Sequence, residues 1–248
     1  MLLSLRRSRN KHNDQAMNEV TPALCVRNEE YWIHYVLRDL LAVFGRVYIL
    51  DTGSTDKTVE VALRTAQQVG GKLDIAQKQL GDDFNAIGNC RNLAREAVDT
   101  DWMLLVDGDE LWQKLQLYQI ISIAKTVRPG TECVMFHGRN VNFKAGRLVE
   151  GDGFYADRLF SRDVRWDRVG YPFESHGLDD RDKAGKVARG NPSVFFWHVR
   201  DLMRSSKDGD AYYRREKINL YKFDGQYKTL LPNWIRADNE YNNPYFRN

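Results

Sequence analysis

Between Ala23 and Val106 the chain alternates short apolar runs with longer amphipathic stretches, and that alternation leaves few folds open. Ala23–Val26, Val47–Leu50, Leu73–Ala76 and Trp102–Val106 have the length and apolar content of buried strands. Between them, Glu29–Phe44, Thr58–Val69 and Asn89–Val98 space their apolar residues as helices do. Val59, Ala62, Leu63 and Ala66 fall at helical spacing in the second, which Gly70-Gly71 stops, and Leu93, Ala94 and Ala97 share a face of the third. Strand–helix repetition of this kind builds a mostly parallel sheet with helices on both faces. Ligands of such sheets gather outside the carboxyl ends of the strands. The distinctive polar residues of this half sit there: Arg27-Asn28-Glu29-Glu30, Asp51–Asp56 and Asp107–Glu110 each follow a strand.

The third of these clusters carries the most chemistry. Asp107 and Asp109 are separated by one glycine and followed at once by Glu110. Carboxylates this close repel each other and are costly to desolvate unless a cation neutralises them. A divalent metal is one reading, because hard cations take oxygen ligands. A solvated Asp-Gly turn is the other.

The 248 residues fit one large domain, or one domain with an appended subdomain, and 42% hydrophobic content suffices for a core. A net charge of +3 is too small to demand a polyanionic partner. No apolar stretch approaches the ~18 residues of a membrane span. Met1–Leu5 is followed by Arg6, Arg7, Arg9 and Lys11, the reverse of the order in a secretory signal. Cys25, Cys90 and Cys133 are odd in number and widely spaced, which suits small buried side chains in a reducing compartment. The expectation is a cytoplasmic protein with at most peripheral membrane contact.

The second half changes character. Glu132–His137, Arg158–Ser161, Val164–Trp166 and Ser193–Trp197 read as short strands between glycine-rich turns, an antiparallel extension that finishes the sheet. From Asp201 to Phe223 the pattern is helical, and an aromatic tail follows. The expected division is a basic, flexible arm over 1–20, a first half of one domain over 21–112, a second half over 113–199, and a helix with the tail over 200–248.

Three ordered stretches, Ala23-Leu-Cys-Val-Arg-Asn-Glu-Glu30, Ile49-Leu-Asp-Thr-Gly-Ser-Thr-Asp-Lys-Thr58 and Leu104-Leu-Val-Asp-Gly-Asp-Glu110, together with Cys90-Arg-Asn92, resemble the family-2 glycosyltransferases with the GT-A fold. The resemblance implies a Rossmann-like, mostly parallel sheet and a nucleotide-sugar donor, most often a UDP-sugar, lying over the first strand ends. It implies that Asp51 contacts the base, with Arg27, Asn28 and Glu29 beside it, and a carboxylate can indeed accept the imide N–H of uracil. It places Asp107 near ribose and metal and makes Asp109 a direct ligand of Mn²⁺ or Mg²⁺. Arg91 is expected either to pair with phosphate or with a carboxylate of the site or to be an ordinary surface arginine, and Asp83 and Phe84 resemble the acidic-aromatic positions before it. Ser54, Thr55 and Asp56 read instead as the cap and first turn of the next helix.

Inverting members of that family use a carboxylate as general base on the acceptor hydroxyl. Glu174, in Tyr171-Pro-Phe-Glu-Ser-His-Gly177, is the candidate here, with Asp152, Asp179 and Asp180 as rivals. The pattern departs from the subset it resembles, since Phe173 stands where His is usual and His176 follows two residues after Glu174. His198, behind the apolar Phe195-Phe-Trp197, reads either as a satisfied core or rim histidine or, by the resemblance, as the late histidine that completes a metal or diphosphate site in many GT-A enzymes. His34 and His137 read as structural.

The expected activity is therefore metal-dependent, inverting transfer of a sugar to a hydroxyl of a glycan or glycolipid. A hydroxymethylated base in DNA is the alternative acceptor, suggested by the basic arm and by the Arg200–Lys228 segment with its interleaved tyrosines. A sugar-nucleotide pyrophosphorylase is disfavoured, because the first strand's loop lacks the glycines that a triphosphate needs. A non-catalytic binding module that keeps the fold is disfavoured by the intact acidic pair.

Overall fold

The computed structural model describes residues 19–79, 84–144, 147–166 and 185–199. Its strands are β1 Val20–Val26, β2 Arg46–Asp51, β3 Lys72–Gln77, β4 Trp102–Val106, β5 Glu110–Leu111, β6 Cys133–Lys144, β7 Arg147–Ser161, β8 Val187–Arg189 and β9 Phe195–His198. The helices are α1 Ile33–Phe44, α2 Thr58–Val69, α3 Phe84–Ala97 and α4 Lys114–Thr126. One sheet runs in the order β3-β2-β1-β4-β7-β6-β9-β5, with β8 added beside β6.

The first four strands are parallel, as strands joined by helical crossovers must be when the crossovers lie over the sheet. β7 then runs antiparallel to both β4 and β6 and opens the extension read from the second half. β5 follows β4 after only the Asp107–Asp109 turn, yet it ends the hydrogen-bonded path by pairing with β9. The sheet therefore curls until its last strand lies beside the turn that follows β4.

The parallel strands are apolar on both faces because both faces are covered. Leu104 and Val106 join a core with α1, α2 and α4, while Met103 and Leu105 join Ala94, Val98, Phe160 and Trp166 on the other side. α2 has the limits read from sequence and ends at Gly70, whose φ of 80° is left-handed and whose N–H bonds the Ala66 carbonyl at 2.9 Å. Its buried stripe is Thr58, Val61, Ala62, Thr65 and Ala66, and Leu63, expected on that face, is 54% exposed. His34 bonds Thr65 Oγ1 at 2.9 Å and ties α1 to α2.

Several boundaries differ from the sequence reading. α1 begins at Ile33 rather than Glu29, and a turn in which the Glu29 carbonyl accepts from Trp32 N and Ile33 N, at 3.0 and 2.9 Å, leads into it. α3 begins at Phe84, with Gly88 inside it, rather than at Asn89. Val164–Trp166 is not a strand: the Asn92 amide takes both backbone groups of Trp166, at 2.8 and 2.9 Å, in place of a ladder. α4 carried no sequence expectation. Cys90 and Cys133 are buried and Cys25 is half-buried.

Asp83, Glu174, His176, Asp179, Asp180, the basic arm through residue 18, the helix expected from Asp201 and the aromatic tail lie outside the described residues, as does the side chain of Asp152. Among the described residues no helix is long and apolar enough to cross a membrane.

Candidate active site

β1 is paired with β2 on one side and β4 on the other, so its loop lies between theirs. In register, Val26 stands beside Asp51 and Leu24 beside Val106, which brings all three loops to the same end of the sheet. The chain steps outward from β1 to β2 and β3 and then returns to β4 on the opposite side. The crevice between the β1 and β4 ends is thus the topological switch point, where open α/β sheets bind ligands.

The first two loops are latched together. Asn28 adopts a left-handed backbone, φ 57°, which Asn tolerates better than other side-chain-bearing residues. Its N–H donates to Ser54 Oγ at 3.0 Å, and its Oδ1 accepts from Thr55 N at 2.8 Å. Glu29 N donates to Thr58 Oγ1 at 2.7 Å, while Lys57 N donates to Glu30 Oε2 at 3.2 Å. Ser54 and Thr55 therefore serve the β1 loop rather than capping α2. Asp56 does serve the helix start, since its Oδ1 accepts from Thr58 N at 2.9 Å.

Asp51, 1% exposed, is held by its own loop: Oδ1 accepts from Ser54 N and Ser54 Oγ, and Oδ2 accepts from Gln77 Nε2 at 3.2 Å. Arg27, next to this latch, is exposed. Arg91 is half-buried on α3 and, like Asp107, lies close enough to the Cys25 thiol to act on it electrostatically, Arg91 favouring the thiolate and Asp107 opposing it. Glu29, expected beside the donor base, lies toward the third loop. It is 3% exposed and lies against the acidic turn, where a Cβ added to Gly108 would fall 2.5 Å from Glu29 Cγ. The glycine between the two aspartates is what lets this carboxylate side chain pack against the turn.

The three carboxylates after β4 go to different partners. Arg158, on β7, brackets Glu110 with Nε at 2.9 and 3.0 Å from its two oxygens, and its Nη2 bonds both Glu110 Oε1 and Asp107 Oδ2, the latter at 3.0 Å. Glu110 is fully buried, and burial pushes its carboxyl up to about 7 against the opposing pull of Arg158. Asp109 instead faces His198: β5 pairs Glu110 with His198, Val199 N bonds the Asp109 carbonyl at 3.0 Å, and Asp109 Oδ2 lies 3.6 Å from His198 Nε2. Burial lowers the His198 pKa, but the hydrogen bond and charge of Asp109, with the charges of Glu110 and Asp107, outweigh it and leave the group raised.

A divalent cation fits this pair better than the full set expected. His198 Nδ1 lies 3.0 Å from Asn140 Oδ1, an acceptor that calls for a proton on Nδ1 and leaves Nε2 to face Asp109. A neutral Nε2 lone pair and a carboxylate oxygen repel unless a proton or a cation lies between them. Two protein ligands suffice where substrate phosphates complete the shell. Asp107 has one oxygen engaged by Arg158, and among the described residues no group of three or more His, Cys, Asp or Glu is placed to hold a metal. Sequence reasoning missed the roles of Arg158 and Asn140. Arg158 stood at the start of an expected strand, Arg158–Ser161, without any sign of its partners, and Asn140 carried no signal.

Beneath this cluster the curled strands enclose aromatic packing. Trp112 meets Phe136 and Phe196 at centroid distances of 5.8 and 4.8 Å, and Phe154 meets Phe196 and His198 at 5.8 and 5.5 Å. His198 is thereby fixed on one side by Asn140 and on another by Phe154.

A mostly parallel sheet with an antiparallel extension, and an acidic turn at its switch point, is the GT-A architecture of nucleotide-sugar enzymes. The chain belongs to glycosyl transferase family 2, whose model matches residues 23–178, more than half of the 248 residues. A TPR repeat-containing protein of Synechococcus elongatus is 34% identical over 119 residues, which are 45% of this chain and 27% of that protein. The chain thus spans about a quarter of the length of that curated relative. A mycobacterial protein of solved structure superposes with a TM-score of 0.50 at 14% identity, over 78% of this chain and 72% of that one, a likeness of fold alone. Glucosyl-3-phosphoglycerate synthase from Mycobacterium tuberculosis, solved with Mn²⁺, UDP and glucosyl-3-phosphoglycerate, gives 0.48 at 15% identity over 79% of this chain and 78% of its own.

Proposed function

We propose that this chain is a divalent-metal-dependent, inverting glycosyltransferase that moves a sugar from a nucleotide donor, a UDP-sugar, to a hydroxyl of a glycan or glycolipid. The observation that carries the reading is the convergence of Asp51, Asp107 and Asp109 at the switch point, with His198 brought to 3.6 Å from Asp109 by the β5–β9 pairing. Within a family-2 glycosyltransferase, that convergence is where the donor belongs.

In this reading Asp51 accepts a base N–H, and the latch it makes with Ser54 and Gln77 orients the carboxylate for it. Asp107 faces the ribose side, with its position set by Arg158. Asp109 and His198 hold the cation, Mn²⁺ or Mg²⁺, which when bound neutralises the charge that grows on the departing diphosphate. Arg91 adds positive charge on the phosphate side. Glu174 takes the proton from the acceptor hydroxyl as that hydroxyl attacks the anomeric carbon, so inversion needs no covalent intermediate.

A thermal-shift panel of nucleoside diphosphates, with and without Mn²⁺, tests the donor site. UDP should raise the melting temperature only when Mn²⁺ is present, because a ligand that binds only the folded state stabilises it by mass action. If no nucleotide gives a metal-dependent shift, the reading fails. Transfer should survive loss of Arg27 better than loss of Asp109, and Glu174→Gln should keep the UDP shift while losing transfer.

A further inference from the structure

We infer that Arg158 is a positioning residue of the donor site, acting through Asp107. The inference rests on the donor-site reading above and adds to it a residue that touches neither nucleotide nor metal in that scheme. Arg158 is only 6% exposed, on a strand of the antiparallel extension, yet its guanidinium reaches across to the turn that follows β4. Its donors are spent on three acceptors: Nε and Nη2 on Glu110, Nη2 also on Asp107 Oδ2 at 3.0 Å, and Nη1 on the Asp157 carbonyl at 2.9 Å.

The two carboxylates differ in what they can do. Glu110 has no exposed surface, so its pairing with Arg158 serves to bury and orient the guanidinium. The Asp107 side chain is 38% exposed, so it is the member of the trio that presents to the crevice. A planar guanidinium gripped in a fork by one carboxylate has little freedom left, and it therefore fixes the second carboxylate it touches. The flat face of Arg158 lies 5.5 Å from the Phe196 ring, in the same aromatic packing that carries His198 on Phe154. Arg158 thus links the two halves of the site: it sets Asp107 on the β4 side from a strand that belongs to the acceptor side.

Asp107 is held through a single oxygen, Oδ2, by a guanidinium that it shares with Glu110. Lysine cannot reproduce this, because a single ammonium has no fixed fork with which to engage Glu110 through two nitrogens and Asp107 at the same time.

The test is a double-mutant cycle read by calorimetric UDP affinity in saturating Mn²⁺, with far-UV circular dichroism to establish folding. Arg158→Lys should weaken UDP about tenfold, Asp107→Asn should weaken it by a similar factor, and the double variant should be no weaker than Asp107→Asn alone. A purely structural arginine would give losses that multiply. Independent losses, or Arg158→Lys binding UDP as the wild type does, overturn the inference and leave the donor site standing. A wild type that does not bind UDP with Mn²⁺ brings down both. Should Arg158→Lys fail to fold, the ¹⁵Nε resonance of Arg158 in otherwise unaltered protein gives the answer. It should shift when UDP and Mg²⁺ bind and stay still in Asp107→Asn, and a resonance indifferent to the nucleotide in the wild type overturns the inference.

Discussion

Asn28 offers a perturbation whose parts can be separated. Its left-handed backbone, φ 57°, and its Oδ1 bond to Thr55 N at 2.8 Å are two distinct contributions to the latch between the β1 and β2 loops. Asn28→Gly removes the side-chain bond and keeps a residue at ease with that φ. The lost bond costs about 0.5–1 kcal/mol, since water takes over part of it. Asn28→Ala loses the same bond and also places an alanine in the left-handed region, at roughly 1 kcal/mol more. The expected order of stability is wild type, then Gly, then Ala, with about 1 kcal/mol between the two variants. Urea denaturation reads this as a shift in midpoint at constant slope; with a slope of about 2 kcal/mol/M the Ala–Gly gap is about 0.5 M. UDP affinity should fall in the same order, because Asn28 N–H remains the bond to Ser54 in both variants only if the backbone stays in place. Equal midpoints for Gly and Ala would refute the argument that this loop depends on the left-handed residue.

Gly108→Val should cost about 1–3 kcal/mol and weaken UDP binding, since a Cβ there meets Glu29 Cγ at 2.5 Å and Glu29 is anchored by its backbone to α2; chemical denaturation and calorimetry check it. Arg95→Met should lower stability by about 2–3 kcal/mol, because Arg95 is 2% exposed and its Nη2 closes the end of α3 by bonding the Val98 and Thr100 carbonyls at 3.0 and 2.7 Å; a melting temperature equal to wild type would contradict this. Glu110 sets a pH slope: its folded carboxyl, near 7, stands above its ordinary 4.5, so the folded state keeps a proton that the unfolded chain releases. That contribution is fully present below about 4.5 and is lost as pH rises through 7, a change of up to about 3 kcal/mol. Stability of metal-free protein should therefore fall more steeply over this window in the wild type than in Glu110→Gln, and parallel curves would contradict the shift.

What could be read from sequence was local. The strand ends and their polar loops were legible because apolar runs and the residues that stop them are neighbours along the chain. The Asp-Gly-Asp turn was legible for the same reason. What decides the fate of each carboxylate was not, because it comes from pairing across the sheet. Arg158 meets Glu110 only because β7 runs antiparallel beside β4, and His198 meets Asp109 only because the sheet curls and pairs β9 with β5. α4 escaped notice because Leu115 and Tyr118, 68% and 56% exposed, interrupt the buried set of Leu117, Ile120, Ile121 and Ala124 and blur its period. Ser54 and Thr55 carried a cap-like pattern, but a neighbouring loop competed for the same groups through Asn28. The short segment Val164-Arg-Trp166 looked like a strand, and a side chain from α3 took the bonds that a ladder would have used.

The central claim is that Asp109 and His198 together hold a divalent cation against a nucleoside diphosphate. Electron paramagnetic resonance of Mn²⁺ measures it directly, since the signal of the free ion falls as the ion is bound and nearby nitrogen modulates the echo. With UDP present, the wild type should bind Mn²⁺ stoichiometrically and show nitrogen modulation. Asp109→Asn should bind little, and His198→Ala should lose the modulation along with most of the affinity. Stoichiometric Mn²⁺ binding with UDP that persists unchanged in Asp109→Asn, or nitrogen modulation that survives in His198→Ala, would contradict the account.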